Sequence, residues 1–139
     1  MSEPRIPPPT IWPGLVYDDA PAAIRWLCDT FGFVEVIVVP GDDPGVVEHS
    51  ELAWPEGGGV MAGSSGRGGN EFSQRPTGAS SCYVVTERPD ELFERATAAG
   101  APVVRELRDE DYGSRGFSVR DPEGNIWSFG TYRGEAVPG

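Results

Sequence analysis

PAAIRWLCDTFG (residues 21–32) and PDELFERATAAG (residues 89–100) carry the reading that decides the fold. Each opens on a proline, which suits a first helical turn because the N–H it lacks has no intrahelical partner there. Each closes on a glycine, which accepts the left-handed backbone of a helix end. Between these limits Ile24, Leu27, Cys28 and Phe31 form one apolar stripe, and Leu92, Phe93 and Ala96 form another. The spacing from proline to glycine is the same in both, and the two stretches are displaced by 68 residues. A second landmark has nearly that displacement: Pro55-Glu56-Gly57 returns as Pro122-Glu123-Gly124, 67 residues on. Two independent landmarks at one offset predict an ancient duplication.

Working outward, residues 12–17 read as a strand ahead of a helix from Ala20 to Phe31, and residues 82–85 as a strand ahead of a helix opened by Pro89 and closed by Gly100. Three strand-like stretches follow each helix, at 34–39, 46–53 and 59–63, then at 103–107, 116–120 and 125–132. The Pro-Glu-Gly turns join the last two strands of each set as hairpins. The expected class is α+β, with two βαβββ modules at roughly 11–64 and 79–132 inside a single domain, residues 1–139. The intervening stretch 65–78 is rich in glycine and serine and carries Arg67 and Arg75. It reads as a flexible connector rather than a phosphate cradle, because no strand leads into it and no helix out of it.

Composition narrows the partners. With 22 acidic against 11 basic residues the net charge is −11, which repels phosphate backbones and anionic headgroups. Neither nucleic acid nor a membrane is therefore an expected partner. Every basic residue is an arginine, so Schiff-base chemistry and a P-loop lysine are both excluded. No apolar run approaches the roughly 20 residues of a bilayer span, and MSEPRIPPPT lacks the apolar core of a signal peptide, so a cytoplasmic location is expected. Cys28 and Cys82 lack metal-site or disulfide spacing and read as small buried apolar residues, with a reactive thiol as the alternative.

The segment from Tyr17-Asp18-Asp19 through Phe31-Gly32-Phe33, together with Asp121-Pro122-Glu123-Gly124-Asn125 followed by Ile126-Trp127, resembles the vicinal oxygen chelate superfamily. That superfamily includes glyoxalases, extradiol dioxygenases, fosfomycin-modifying enzymes and bleomycin-resistance binding proteins. The resemblance runs from Ile11 to Tyr132. It implies a curved mixed sheet around a cup, helices outside, and a homodimer. It also implies four metal-ligand positions, on the first and last strand of each half. By spacing these fall on Trp12, Met61 (or Ala62), Ser81 (or Ser80) and Ser128. Tryptophan and methionine are not donors for a hard or borderline divalent ion. No metal and no other cofactor is therefore expected at the usual site.

Strand alternation assigns the faces. If Leu52 and its repeat partner Val119 pack under the helices, then His49, Glu51, Ser118 and Arg120 point the other way, with Met61 and Ser128. His49 and Glu51, two residues apart, are the one acid/base pair on offer. They serve proton transfer or ligand contact, or else form an ordinary strand pair. Glu51 and Arg120 form a structural ion pair in a further reading. Trp12 is expected as a flat wall for a planar ligand. Trp26 and Trp127 are expected in the core, and Trp54 at a hairpin edge. Tyr112, Gly113, Ser114 and Arg115 close the mouth of the cup or form a polar loop, while 108–111 reads as a solvated turn.

The expected binding set is thus Trp12, His49, Glu51, Met61, Ser81, Tyr112, Arg115, Ser118, Arg120 and Ser128, and the expected partner is a small organic ligand. The leading expectation is a metal-independent protein that binds an aromatic or cationic metabolite or antibiotic. The alternative is a lyase, isomerase or dioxygenase-like enzyme using His49 and Glu51 as acid and base or as atypical metal ligands. A vestigial, accessory subunit is the third.

Overall fold

The computed structural model describes residues 10–135. The N-terminal stretch expected to contain no signal peptide lies, but for Thr10, outside them. Element order is β1 (Gly14–Tyr17), α1 (Ala20–Phe31), β2 (Val34–Pro40), β3 (Val47–Ala53), β4 (Gly59–Ser64), β5 (Ser81–Val85), α2 (Pro89–Ala98), β6 (Val103–Asp109), β7 (Arg115–Arg120) and β8 (Ile126–Gly130). This is α+β and twice βαβββ. The strands of each module make a four-stranded mixed sheet of their own, ordered β1-β4-β3-β2 and β5-β8-β7-β6. In both, the first strand runs parallel to the last and the remaining pairings are antiparallel. The chain divides into two compact units that meet in sequence at Gly78 and Ala79.

In the first unit Asp19 caps α1 by accepting a hydrogen bond from the Ala22 N–H at 3.2 Å. Gly32 ends the helix at φ 86°, where its N–H reaches the Cys28 carbonyl. The buried stripe of Ala23, Ile24, Leu27 and Phe31 packs on β1 and β4. Leu15, Tyr17, Val60 and Ala62 supply the facing side chains. Leu52 lies opposite Val60 and is fully buried, on the side expected. Trp54, expected at a hairpin edge, is buried against Phe33 with ring centres 4.9 Å apart. Trp26 is only half-buried, edge-on to Phe31.

The second unit repeats this plan. Pro89 opens α2, and Asp90 and Glu91 in its first turn complement the helix dipole. Leu92 and Ala96 are buried, and Phe93 packs edge-on against Phe117 of β7. Val119 and Trp127, opposite each other, have no exposed surface. The two Pro-Glu-Gly turns share one hydrogen-bond pattern. Trp54 N–H donates to the Gly58 carbonyl and Gly57 N–H back to Trp54, just as Asp121 donates to Asn125 and Gly124 back to Asp121.

The second turn carries an added device. The buried Asp121 carboxylate accepts from the backbone N–H groups of Glu123 and Asn125 through Oδ1, and from the Asn125 amide and the Trp127 indole through Oδ2, at 2.9 to 3.1 Å. One charged acceptor thereby satisfies both a turn and a core tryptophan. Asp121→Ala leaves buried donors unmatched and should cost about 3 kcal/mol, read from urea unfolding, against about 1 kcal/mol for Trp54→Phe. An Asp121→Ala loss as small as that of Trp54→Phe would show that the carboxylate is dispensable.

Candidate functional site

One helix covers one face of each sheet. The other face of the first sheet presents Gly14 and Val16 of β1, Met61 and Gly63 of β4, and His49 and Glu51 of β3. The register places Glu51 opposite Met61, and Met61 beside Gly14. His49 Nε2 lies 2.8 Å from Glu51 Oε2, so the two side chains share a hydrogen bond on this face. Both side chains are partly exposed. Glu51 thus finds its partner within its own half. Arg120, the other member of the expected ion pair, donates to the Gly124 carbonyl at 2.8 Å.

Over this face lies the segment expected to be a flexible connector, and the structure corrects that reading. Buried Ser73 accepts from Arg67 N–H through Oγ, its own N–H reaches Asn70 Oδ1, and its carbonyl accepts from Gly66 N–H. Ser65 and Thr77, near the two ends of the segment, both donate to Asp18 at the end of β1. Arg67 donates Nε–H to the Ser64 carbonyl, and Arg75 donates Nη2–H to the Gly14 carbonyl. The result is a cavity of about 320 Å³ within the first unit, floored by Gly14, Val16 and Met61 and rimmed by His49, Arg67, Phe72 and Arg75. The signal for an ordered segment was present in Asn70-Glu71-Phe72-Ser73, a capping residue ahead of a short 3-10 turn at Glu71–Gln74. Sequence reasoning passed over it.

The second unit has a smaller cavity of about 130 Å³, lined by Tyr83, Arg105, Glu110, Tyr112, Ser118 and Ser128 among others. Ser118 and Ser128 share a hydrogen bond of 2.7 Å. Tyr112 meets Tyr132 edge-on at 5.6 Å. Of the expected set, Tyr112, Ser118 and Ser128 are therefore brought together here, and His49, Glu51 and Met61 in the first unit. Arg115 is directed elsewhere: its guanidinium grips Asp90 of α2 at 2.8 and 3.1 Å and Asp109 of β6 at 3.2 Å. Those hydrogen bonds raise the Arg115 pKa and lower that of Asp90. Of the expected 108–111 turn, Arg108 and Asp109 belong to β6, and Glu110 just beyond it pairs with Arg108 at 2.6 Å.

Trp12 precedes β1 and packs its ring on Gly59, at the start of β4. Proline at 13 cannot donate to a ladder, so the strand begins at Gly14. The first-strand positions carried over as Trp12 and Ser81 accordingly each move by two residues. Gly14 is the residue beside Met61, and Tyr83 the residue beside Ser128; Ser81 pairs with Ile126. The four positions do not fit a divalent ion. Gly14 has no side chain and Met61 a soft thioether, Ser128 is engaged by Ser118, and burial pushes the Tyr83 phenol above its ordinary value. Among the described residues no three His, Cys, Asp or Glu side chains converge as a metal site.

Residues 11–129 match the model of the Glyoxalase/Bleomycin resistance protein/Dioxygenase superfamily. The chain belongs to that superfamily. Mb0911c of Mycobacterium bovis, an uncharacterized protein, is 35% identical over 127 residues, covering 88% of this chain and 82% of its own. TioX from Micromonospora sp. ML1 is 33% identical, with 84% of this chain and 93% of that one covered and a TM-score of 0.71. The superfamily domain from Frankia sp. EAN1pec shares the fold at 19% identity, covering 88% and 95% of the two chains, with a TM-score of 0.67. Among the described residues no helix is long and apolar enough to cross a membrane.

The two thiols are subdued. Burial, reinforced by Glu35 and Asp29, pushes Cys28 up, and burial with Asp121 pushes Cys82 up. Since the thiolate is the reactive form, iodoacetamide should alkylate both more slowly than free cysteine at neutral pH, with the rate rising only at higher pH. Modification of either at the free-cysteine rate in folded protein would contradict this.

Proposed function

We propose that this protein is a metal-independent binder of a small planar organic molecule, held in the cavity of its first half. The observation that carries the reading is a cavity lining that joins Gly14, Val16 and Met61 to an exposed aromatic, Phe72. A flat ring bound there finds apolar surface and an aromatic partner, the contacts aromatic ligands favour. The cavity volume falls at the lower end of the range of about 300 to 1,000 Å³ usual for small-molecule sites. The ill-suited metal positions support binding without an ion. Trp12 is not part of this lining.

A neutral fluorescent probe, N-phenyl-1-naphthylamine, tests the reading. It should bind one per chain with the same affinity in EDTA as without it. Met61→Asp, which places a charge in the apolar part of that lining, should weaken it by about tenfold or more. Absence of binding to folded protein, or loss of binding in EDTA, would count against the proposal.

A second reading is favoured by the 2.8 Å contact of His49 with Glu51 on the same face. In that reading the pair moves a proton on the bound molecule, and turnover abolished by His49→Gln with retained binding distinguishes it from capture alone. A homodimer is supported by the apolar row Val34, Val36, Ile37 and Val38, exposed on the edge strand β2. Native mass spectrometry at micromolar concentration reads that state directly.

A further inference from the structure

We propose that the cavity of the first half contains an anion subsite formed by Arg67 and Arg75, so that its ligand is a planar molecule bearing a carboxylate, sulfonate or phosphate. This rests on the reading of the cavity as a small-molecule site and specifies the polar end of its ligand.

In a protein of net charge −11, carboxylates are abundant. Arg88, Arg105, Arg108, Arg115 and Arg133 each hold one within 4 Å, whereas the exposed Arg25 and Arg120 pair with none among the described residues. Arg67 and Arg75 hold none among the described residues. Their hydrogen bonds go to backbone carbonyls of Ser64, Phe72 and Gly14. Those bonds fix the two guanidiniums in direction while leaving several N–H groups unused and no carboxylate within 4 Å of either. A guanidinium so held is prepared for a planar bidentate acceptor at little further entropic cost.

Their placement is specific as well. The guanidinium of Arg67 lies over Gly63 of β4, where an added Cβ would stand 3.3 Å from Nη2, and that of Arg75 lies over Gly14 of β1, where it would stand 4.0 Å from Nη2. Gly14 and Gly63 belong to neighbouring strands and to the same open face. The missing side chain at Gly63 gives the Arg67 guanidinium room close to the sheet, and the Arg75 guanidinium sits at ordinary contact distance above Gly14. The segment that carries the arginines is pinned by Ser73 and by both links to Asp18. The other charged groups at the cavity are Glu48 and His49, the latter already turned to Glu51, and Asp42 and Asp43 join Glu48 around the neighbouring cavity that Arg67 also borders. Acidity elsewhere on the surface steers cations to the molecule, whereas this cavity selects the opposite sign.

The test compares two dyes of nearly the same ring system, 1-anilinonaphthalene-8-sulfonate and neutral N-phenyl-1-naphthylamine, by fluorescence titration of the full chain. Arg67→Gln with Arg75→Gln should weaken the sulfonate by about tenfold or more and leave the neutral amine unchanged. Arg133→Gln, on the surface of the second half, should alter neither. Inorganic sulfate should displace the sulfonate and not the amine. Circular dichroism melts of each variant confirm that folded protein is compared. Equal affinity of the sulfonate for wild type and double variant overturns the anion subsite while leaving the binding proposal standing, as does an equal loss for both dyes. Failure of both dyes to bind wild type overturns the binding proposal itself.

Discussion

A four-stranded sheet has two faces, and one short helix can cover only one of them. That constraint governs each half of this chain. The helix-covered side takes the continuous apolar set: Leu15, Tyr17, Val60 and Ala62 with α1, and Phe117, Val119, Trp127 and Phe129 with α2. Because side chains alternate, the uncovered side receives what remains, namely glycines, serines, Met61, His49, Glu51 and Tyr83. The polar and titratable groups are thus where the core is not, and the same alternation that builds the core delivers the uncovered face.

The first half goes further by laying a tethered segment over that face. The interior of the segment is polar and small, so it has no core of its own, and its order comes from hydrogen bonds centred on Ser73, Asn70 and Asp18. Such bonds are individually modest, about 1 kcal/mol each, but they act together on a short closed loop. What they hold in place is cationic, in a chain that is otherwise strongly acidic. The local charge above this face is thus opposite in sign to that of the chain as a whole.

The helices, hairpins and repeat were legible because they depend on local signals with fixed spacing: Pro21 and Gly32, Pro89 and Gly100, and the two Pro-Glu-Gly turns. The faces were legible too, since Leu52 and Val119 needed only parity. Strand register was not. Trp12 and Ser81 were placed by spacing, but Pro13 delays β1, and the parallel pairing of β5 with β8 sets Tyr83 against Ser128. Arg115 and Arg120 were drawn away by partners that no linear pattern names: Asp90 on a different element, and a turn carbonyl. The Arg67 to Arg75 segment was missed because a Gly- and Ser-rich composition describes an untethered chain, and its tethers lie at Asp18, about fifty residues away in sequence.

The double attachment of residues 65–77 to Asp18 also separates two kinds of change. Because Ser65 and Thr77 both end on one carboxylate at the edge of β1, whatever lies between them is a closed excursion whose ends do not depend on its contents. Lengthening such an excursion costs slowly, about 0.6 kcal/mol for each doubling. Descendants of this chain can therefore rewrite the residues above the sheet, in number and in charge, while the strands beneath keep their register. The excursion is a place where recognition can evolve without asking the fold to move.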